Sequence, residues 1–326
     1  MIVDLGTISG PLTGIFDQPK NAEQWQNFML STEQISHFKE YGFVQGIRVL
    51  NEDQVEILRS ELDEIVKPDN PGRELFYEYK SNEGNSPESV LFHALGAWRV
   101  SRGFHDILWA PSFRMAAYQL LGKTYRLFHD QLFCKPAGHG GSVAWHQDYS
   151  YWTWTKPMTH LTCWIALDDV TTENGCLYYI PKSQTWGLLP ISGLTSDMES
   201  VKELLSDDQI ELFRHRIPVE LKKGEACFHH PLMMHGSYAN KSDGPRRATV
   251  INVFADGVIS DWSESKDGNF TELDNYPRVL KGQKMEGIYY PLLFDPKKEL
   301  SNAFSAPTIS NLVKNEFNNI IKGDYQ

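Results

Sequence analysis

The stretch Trp145-His146-Gln147-Asp148, read together with a later stretch from His235-Gly236-Ser237 to Arg246, decides the fold and the chemistry predicted for this chain. Residues two apart in a strand point to the same face, so His146 and Asp148 can direct an imidazole and a carboxylate toward one point. A His-x-Asp pair alone is common and also fits a core histidine followed by a turn aspartate. The second stretch adds weight, because Arg246 stands eleven residues after its histidine and begins an apolar, strand-like run.

Around these stretches the chain is divided into short strand-like segments. Runs rich in β-branched and aromatic residues alternate with Gly, Pro, Asn and Asp, which is typical of all-β structure. Eight strands are predicted, over residues 125–135, 143–148, 159–167, 176–180, 219–221, 226–229, 234–238 and 248–255. Eight strands suit a double-sheet jelly roll, also called a double-stranded β-helix. Residues 222–225 are predicted to form a hairpin turn.

The segment before residue 123 is predicted to be mainly helical. Residues 1–30 contain several Gly and Pro and are predicted to be an irregular leader. Ser31 begins a capping-box pattern, and Asn51 or Asp53 caps a second helix with apolar residues at helical spacing. Leu95 and Trp98 belong to a further helix-like pattern. We therefore predict one domain over 31–326, with helical support (31–122), a jelly-roll core (123–255), a helical insertion (193–216) and a C-terminal extension (256–326).

Composition limits the possible partners. The chain has 31 Lys and Arg against 42 Asp and Glu, a net charge of -11, which argues against a nucleic-acid or anionic-membrane partner. The four cysteines stand far apart without a CxxC pair, which favours reduced, buried thiols. No signal peptide and no membrane-length apolar run are seen, so we expect a cytoplasmic protein that acts on a small molecule. The sequence does not indicate an oligomeric state.

The predicted ligand set has a specific chemistry. Two imidazoles and one carboxylate on one face of a metal are the ligands of non-haem Fe(II) oxygenases, which leave positions open for co-substrate and oxygen. His146, Asp148 and His235 are therefore predicted metal ligands and catalytic residues. A buried Arg246 would be a bidentate receptor for a carboxylate. Two alternatives remain: a cupin-like isomerase or epimerase, which would not need Arg246, and a non-catalytic binding protein, which would have no reason to keep all three ligands.

Several motifs occur in an order that resembles the phytanoyl-CoA dioxygenase family. They are His146-Gln147-Asp148, Trp164-Ile165-Ala166-Leu167, Glu173-Asn174-Gly175-Cys176-Leu177, Ile180-Pro181-Lys182-Ser183 and His235-Gly236-Ser237 with Arg246. The resemblance covers about residues 33–255. It implies an Fe(II)- and 2-oxoglutarate-dependent dioxygenase of the kind that includes ectoine hydroxylase. Such an enzyme couples decarboxylation of 2-oxoglutarate, with O2, to hydroxylation of a C–H bond in a small organic substrate.

The resemblance also implies roles for individual residues. Arg246 is similar to the family arginine that binds the distal carboxylate of 2-oxoglutarate, Ser237 to a hydroxyl that helps to hold it, and Trp164 to a tryptophan of the same pocket. The carboxylate of Asp148 favours hydroxylation, because related halogenases have a small residue there.

Substrate contacts are predicted from weaker signals. Trp152 matches an aromatic residue that shelters the iron in ectoine hydroxylase, and Tyr149 belongs to the same run of aromatics. Asn252 shares a strand face with Arg246. His229 and His230 do not have the spacing to Arg246 that the family histidine has, so we expect one of them to lie behind the ligands or in the core.

Overall fold

A computed structural model places most helices in the first third of the chain. It describes residues 3–67, 69–80, 92–138, 141–190, 198–262 and 276–300. The α-helices within these ranges are α1 (Ala22–Trp25), α2 (Thr32–Tyr41), α3 (Glu52–Ile65), α4 (Arg102–Asp106), α5 (Pro111–Leu121), α6 (Asp207–Arg214) and α7 (Pro296–Glu299). The predicted caps of α2 and α3 are confirmed, because Ser31 and Asn51 each form a reciprocal capping box with the residue three positions later. No helix in the described part of the chain is long and apolar enough to cross a membrane.

The strands form a larger sheet, a smaller sheet and a two-stranded ribbon. They are β1 (Phe43–Arg48), β2 (Glu78–Lys80), β3 (Phe92–Leu95), β4 (Tyr125–Lys135), β5 (Val143–His146), β6 (Thr155–Lys156), β7 (His160–Ala166), β8 (Leu177–Tyr179), β9 (Ile217–Val219), β10 (Glu225–His229), β11 (His235–Ser237), β12 (Arg246–Ala255), β13 (Ile259–Ser260) and β14 (Leu292–Phe294). The larger sheet has the order β1-β10-β7-β12-β4-β3-β2, with β14 also pairing with β4. The smaller sheet has the order β5-β11-β8-β9, and β13 pairs with β6.

Two apolar layers hold the sheets in place. One lies between the sheets and contains Phe43, Trp164 and Val250 from the larger sheet with Tyr179 and Val219 from the smaller. The other joins the opposite face of the larger sheet to the helices, and it contains Phe38, Leu58, Phe113, Leu127 and Ile165. The mainly β jelly-roll fold with flanking helices is therefore confirmed. The space between the two sheets is where a binding site can form.

Each of the eight predicted strands overlaps a strand of the structure, although the one predicted over 219–221 lies at Ile217–Val219, and three further details differ. The strand predicted over 143–148 ends at His146, and Asp148 begins a 3-10 helix that ends at Tyr151. The helix predicted from Leu95 and Trp98 is wrong in its first part, where Phe92–Leu95 forms β3 because β4 offers its backbone as a partner. The turn at 222–225 is present, but it joins β9 of the smaller sheet to β10 of the larger one and is not a hairpin.

Segments outside the sheets fold back onto the body. In the leader, the backbone N–H groups of Leu12 and Thr13 donate to the Asp106 carboxylate at 2.7 and 2.6 Å. The described part of the predicted insertion is helical, with a 3-10 helix at Ser200–Leu204 followed by α6, whereas 193–197 lie outside the described residues. Near the C-terminal end, Phe294 of β14 packs against Trp25.

Candidate metal and co-substrate site

His146, Asp148 and His235 meet between the two sheets. The antiparallel pairing of β5 and β11 makes the two histidines direct cross-strand partners, with ring centroids 4.2 Å apart. The 3-10 turn that follows β5 brings Asp148 back toward both rings, and its Oδ1 lies 3.5 Å from His146 Nε2 and 3.6 Å from His235 Nε2. One ligand atom from each of the three residues lies within 4.8 Å of the others. The structure thus brings His235 to the His146 and Asp148 pair, which lies far from it in the sequence.

Backbone oxygens fix the tautomer of both histidines. His146 Nδ1 lies 2.7 Å from the carbonyl oxygen of Ala144, and His235 Nδ1 lies 2.9 Å from that of Met233. A carbonyl oxygen can only accept, so each Nδ1 donates, which leaves each Nε2 as the ring nitrogen that can bind a metal. This is the form in which an imidazole binds a metal, with its other nitrogen held by a hydrogen-bond acceptor.

The Asp148 carboxylate is oriented by two donors. Its Oδ2 accepts a hydrogen bond from Thr162 Oγ1 at 2.7 Å and another from His229 Nε2 at 2.9 Å. Burial alone would raise the pKa of Asp148, but the nearby imidazoles, His235 first among them, hold that pKa well below its usual range. The carboxylate is therefore ionised, and its Oδ1 faces the two histidines.

The charge state of the cluster fits a divalent transition metal. Burial lowers the pKa of His235 well below its usual value, and the neighbouring His146 lowers it further. Two imidazoles and one ionised carboxylate that meet at one point are the donor set of non-haem Fe(II) sites. The residues present therefore fit such an ion.

A cavity lies beside the cluster, with about 530 Å³ of space when the part open to solvent is included. Of the residues that the structure describes, fifteen line it: Gln131, Phe133, Val143, His146, Asp148, Thr162, Trp164, Leu177, His229, His235, Gly236, Ser237, Arg246, Val250 and Asn252. All three predicted co-substrate residues, and Asn252 among the predicted substrate contacts, are therefore on its wall.

Arg246 is the buried cation of this cavity. Its side chain is almost fully buried, and its Cζ atom lies 5.3 Å from the centroid of the Trp164 ring. Among the residues that the structure describes, none accepts a hydrogen bond from its Nε or Nη1. Burial lowers the pKa of Arg246 to about 10, so the guanidinium stays charged at neutral pH. A buried guanidinium with two unpaired N–H groups is a receptor for a carboxylate, because leaving such donors unpaired is costly.

Lys135 is a second buried basic residue, and it was not predicted from the sequence. On β4 it is the register partner of Arg246, and its Nζ donates to the carbonyl oxygens of Tyr238 at 2.5 Å and Ser237 at 3.3 Å. Burial and then the charge of Arg246 lower its pKa well below the usual value. The available signal was the position of Lys135 in a predicted strand, two residues after Phe133 and four after Gln131. In a strand these three side chains lie on one face.

A row of polar side chains crosses the larger sheet below Asp148. His229 of β10 is the direct partner of Thr162 of β7, which is the partner of Asn252 of β12. Thr162 Oγ1 lies 2.9 Å from the Asn252 side-chain oxygen as well as 2.7 Å from Asp148. The hydroxyl has one hydrogen, and the carboxylate can only accept, so we assign the hydrogen to Asp148. The Asn252 amide then satisfies Thr162 when its nitrogen faces the hydroxyl and its oxygen faces the cavity.

Two predicted substrate contacts lie elsewhere. Tyr149 and Trp152 belong to a buried aromatic cluster with Phe128, Phe254 and Tyr276, and neither is among the described residues that line the cavity. The cause is the 3-10 turn after His146, which directs these rings away from the space between the sheets. The Tyr149 hydroxyl donates to the carbonyl oxygen of Thr155 at 2.7 Å, which holds the turn closed.

Comparison with known proteins identifies the relatives of this chain. The family model for phytanoyl-CoA dioxygenase (PhyH) matches residues 38–248. The chain is 26% identical to the methylphosphonate hydroxylase of Gimesia maris over 256 residues, covering 76% of this chain and 91% of that protein. It is 24% identical to the peroxisomal phytanoyl-CoA dioxygenase of Rattus norvegicus over 262 residues, covering 74% and 73%. Among solved structures it is similar to the non-haem α-ketoglutarate-dependent epimerase SnoN from nogalamycin biosynthesis, with a TM-score of 0.65, 21% identity and coverage of 81% and 98%.

Proposed function

Because the chain belongs to the phytanoyl-CoA dioxygenase family of Fe(II)- and 2-oxoglutarate-dependent oxygenases, we propose that it hydroxylates a C–H bond of a small organic molecule. The bound ion would supply activation of O2, coupled to decarboxylation of the 2-oxo acid to succinate and CO2. The observation that carries the proposal is the cavity that contains His146, Asp148 and His235 together with the buried Arg246. An ion site and a carboxylate receptor in one enclosed space are what a metal-bound 2-oxo diacid requires.

The three ligands in this proposal are His146, Asp148 and His235. Both histidines would present Nε2 and the carboxylate would present Oδ1. An ion held by only these three side chains would keep positions available for a 2-oxo acid and O2. The Asp148 carboxylate also favours hydroxylation over halogenation, because it occupies the position that a halide would need.

The co-substrate in this proposal extends from the ion toward Arg246. The guanidinium would bind the distal carboxylate of 2-oxoglutarate as a bidentate fork, while Trp164 and Ser237 line the same part of the cavity. Lys135 lies behind Ser237 and Tyr238 and donates hydrogen bonds to their carbonyl oxygens. The charge of the Arg246 guanidinium favours an anionic co-substrate at this end, and its burial strengthens that attraction.

The substrate in this proposal is small and carries little negative charge. Arg246 is the only cation among the fifteen lining residues, and the co-substrate would use it. A coenzyme A thioester or a phosphonate, the substrate classes named for relatives of this chain, would bring phosphate or phosphonate charges that no described lining residue meets. Asn252 would contact the substrate through its amide, whereas Trp152 and Tyr149 would support the wall from behind.

Epimerisation is the second candidate, favoured by the structural likeness to SnoN. The same ligands and the same arginine serve both reactions, so the products must distinguish them: hydroxylation adds one oxygen atom to the substrate and epimerisation adds none. A cupin-like isomerase without 2-oxoglutarate is disfavoured, since it gives Arg246 no carboxylate to bind.

Succinate release in the presence of Fe(II), ascorbate and a metabolite library tests the proposal. We expect His146→Ala, Asp148→Ala and His235→Ala each to abolish iron-dependent turnover of 2-oxoglutarate, and Asp148→Gly to lose hydroxylation, because three donors are needed to hold the ion. His215→Ala is the matched control, since the His215 side chain is 72% exposed. Undiminished succinate release by any of the ligand variants would refute the assignment of that ligand.

A further inference from the structure

His229 lies directly behind the Asp148 carboxylate. It is fully buried on β10, its Nε2 lies 2.9 Å from Asp148 Oδ2, and its Nδ1 lies 2.7 Å from the hydroxyl of Tyr179. A carboxylate oxygen can only accept, so Nε2 carries the hydrogen of that bond and His229 donates to Asp148. The other ring nitrogen of His229 is hydrogen-bonded to the Tyr179 hydroxyl.

We infer that His229 is a positioning residue that holds Asp148 as a ligand through one oxygen; this inference rests on the proposed function. Together with Thr162, His229 engages Oδ2 in two hydrogen bonds, so only Oδ1 is available to an ion. If Oδ2 also bound the ion, it would take a coordination position that the co-substrate or O2 needs. His229 thus keeps the site open, although it does not touch the ion.

The arrangement also joins Asp148 to β8, which pairs with the strand that carries the ligand His235. Tyr179 of β8 is the register partner of His235 on β11, and the His229 ring lies 4.5 Å from the His235 ring, tilted by 46°. The Tyr179 hydroxyl also contacts Cys227 Sγ at 3.2 Å. Because β8 and β10 belong to different sheets, the bond from Tyr179 to His229 fixes the position of the carboxylate relative to the histidine ligands.

The next residue along the chain gives a matched control. His230 is only partly buried, and its Nδ1 accepts a hydrogen bond from the backbone N–H of Leu232 at 3.1 Å. It follows β10 and is not among the described residues that line the cavity. A substitution at His230 therefore changes a histidine of the same segment without changing the support of Asp148.

Three variants distinguish the effect of the hydrogen bond on metal affinity from the effect of ring packing. His229→Phe keeps a ring but removes the donor, and we expect the affinity for Co(II) to fall on the order of 10- to 100-fold, as is usual when a supporting hydrogen bond of a metal ligand is lost. His229→Gln keeps an N–H donor at about the same reach and should regain most of the affinity. Tyr179→Phe removes only the hydroxyl that orients His229, and its loss should be smaller.

The test is titration calorimetry of the full chain with Co(II), together with the visible absorption of the bound ion, whose intensity depends on coordination number. The inference predicts wild-type affinity for His230→Gln, near-wild-type affinity for His229→Gln, and a weaker, spectrally altered complex for His229→Phe. It is overturned if His229→Phe binds Co(II) with wild-type affinity and spectrum. It is also overturned if His229→Gln and His229→Phe lose the same amount of Co(II) affinity, because the loss would then come from altered packing and not from the hydrogen bond.

Folding and the proposed function are checked separately. Should His229→Phe fail to fold by its melting curve, Tyr179→Phe decides, and unchanged affinity in that variant overturns the inference. Asp148→Ala distinguishes failure of the proposed metal site from failure of the inference about His229. If it does not weaken Co(II) binding, the proposed metal site is wrong; if it does and the His229 variants change nothing, only the inference about His229 fails.

Discussion

Two adjacent arginines at the start of β12 have opposite environments. Arg246 faces the cavity, and its Nε and Nη1 have no acceptor among the residues described. Arg247 faces the other side of the sheet, where its Nε and Nη2 donate to the Asp168 carboxylate at 3.0 and 2.9 Å. The same substitution, made at each position in turn, therefore distinguishes a receptor for a ligand carboxylate from an ordinary structural ion pair.

We expect Arg246→Lys to raise the KM for 2-oxoglutarate about 10- to 100-fold and to leave Co(II) affinity unchanged. Lysine keeps the charge but loses the fork, and one charge-assisted hydrogen bond is worth about 1.5–3 kcal/mol, where each 1.4 kcal/mol is a factor of ten. Succinate release measured against 2-oxoglutarate concentration gives the KM. Arg247→Lys is the control, and an equal rise in both variants would mean that Arg246 is not the receptor.

The sequence predicted the part of the site that depends on spacing along one chain segment. The ligand pair around Gln147 and the interval from His235 to Arg246 were visible, and the structure places these residues around one cavity. Lys135 was missed because its relation to Arg246 arises only from the pairing of β4 with β12. Tyr149 and Trp152 were predicted as substrate contacts from a family resemblance and a run of aromatics, and such signals do not show that a 3-10 turn follows β5 and carries these rings into a buried cluster.

At the scale of elements, the turn at 222–225 controls how the two sheets connect. Gly224 has φ of +81° and donates its N–H to the carbonyl oxygen of Ala166 at 2.7 Å. Its own carbonyl accepts from the N–H groups of Val49 and Leu50 at 2.9 and 3.0 Å. A Cβ atom at this position would lie only 2.4 Å from the carbonyl oxygen of Leu50. The turn therefore requires glycine both for its backbone conformation and for this close approach.

We expect Gly224→Ala to lower the free energy of unfolding by about 2 kcal/mol or more. A left-handed conformation costs an ordinary residue about 1–2 kcal/mol, and the contact with the Leu50 backbone adds to that cost. Urea denaturation measures the change. Gly14→Ala is the control, because a Cβ there meets nothing within 4 Å, and it should change stability by no more than about 0.5 kcal/mol. Equal stability of the two variants would contradict this account.

Prediction of elements succeeded where the signal is local. The capping boxes at Ser31 and Asn51 are complete within four residues, so the starts of α2 and α3 were predicted correctly. β3 was not predicted, because its four residues are extended only by virtue of their pairing with β4. The connection after β9 was predicted as a hairpin for a similar reason, since a turn sequence does not indicate which sheet receives the next strand.

At the scale of the whole molecule, two buried histidines affect the response to acid. His129 and His160 are almost fully buried, and burial lowers the pKa of each to about 3. His160 Nε2 contacts Thr155 Oγ1 at 3.1 Å within the aromatic cluster. Both imidazoles are therefore neutral in the folded protein over a pH range in which an unfolded chain would bind protons, since the ordinary pKa is about 6.5.

We expect the free energy of unfolding to fall as the pH drops from about 6.5 toward 3. In this range the unfolded chain binds more protons than the folded one, so stability is full above pH 6.5 and declines by up to about 1.4 kcal/mol per pH unit for each histidine. His160→Gln should remove one of these contributions. Chemical denaturation at several pH values measures the slope, with His215→Gln at an exposed position as the control. A slope that His160→Gln leaves unchanged would contradict the assignment.

The pairing of His146 with His235 also bears on how the smaller sheet is held together. β5 and β11 have only four and three residues, so few backbone bonds join them. An ion bound by one side chain from each strand would act as a cross-link between these two short strands. Binding of the ion would then stabilise the smaller sheet as well as complete the active site, and removal of the ion by a chelator would reverse both effects.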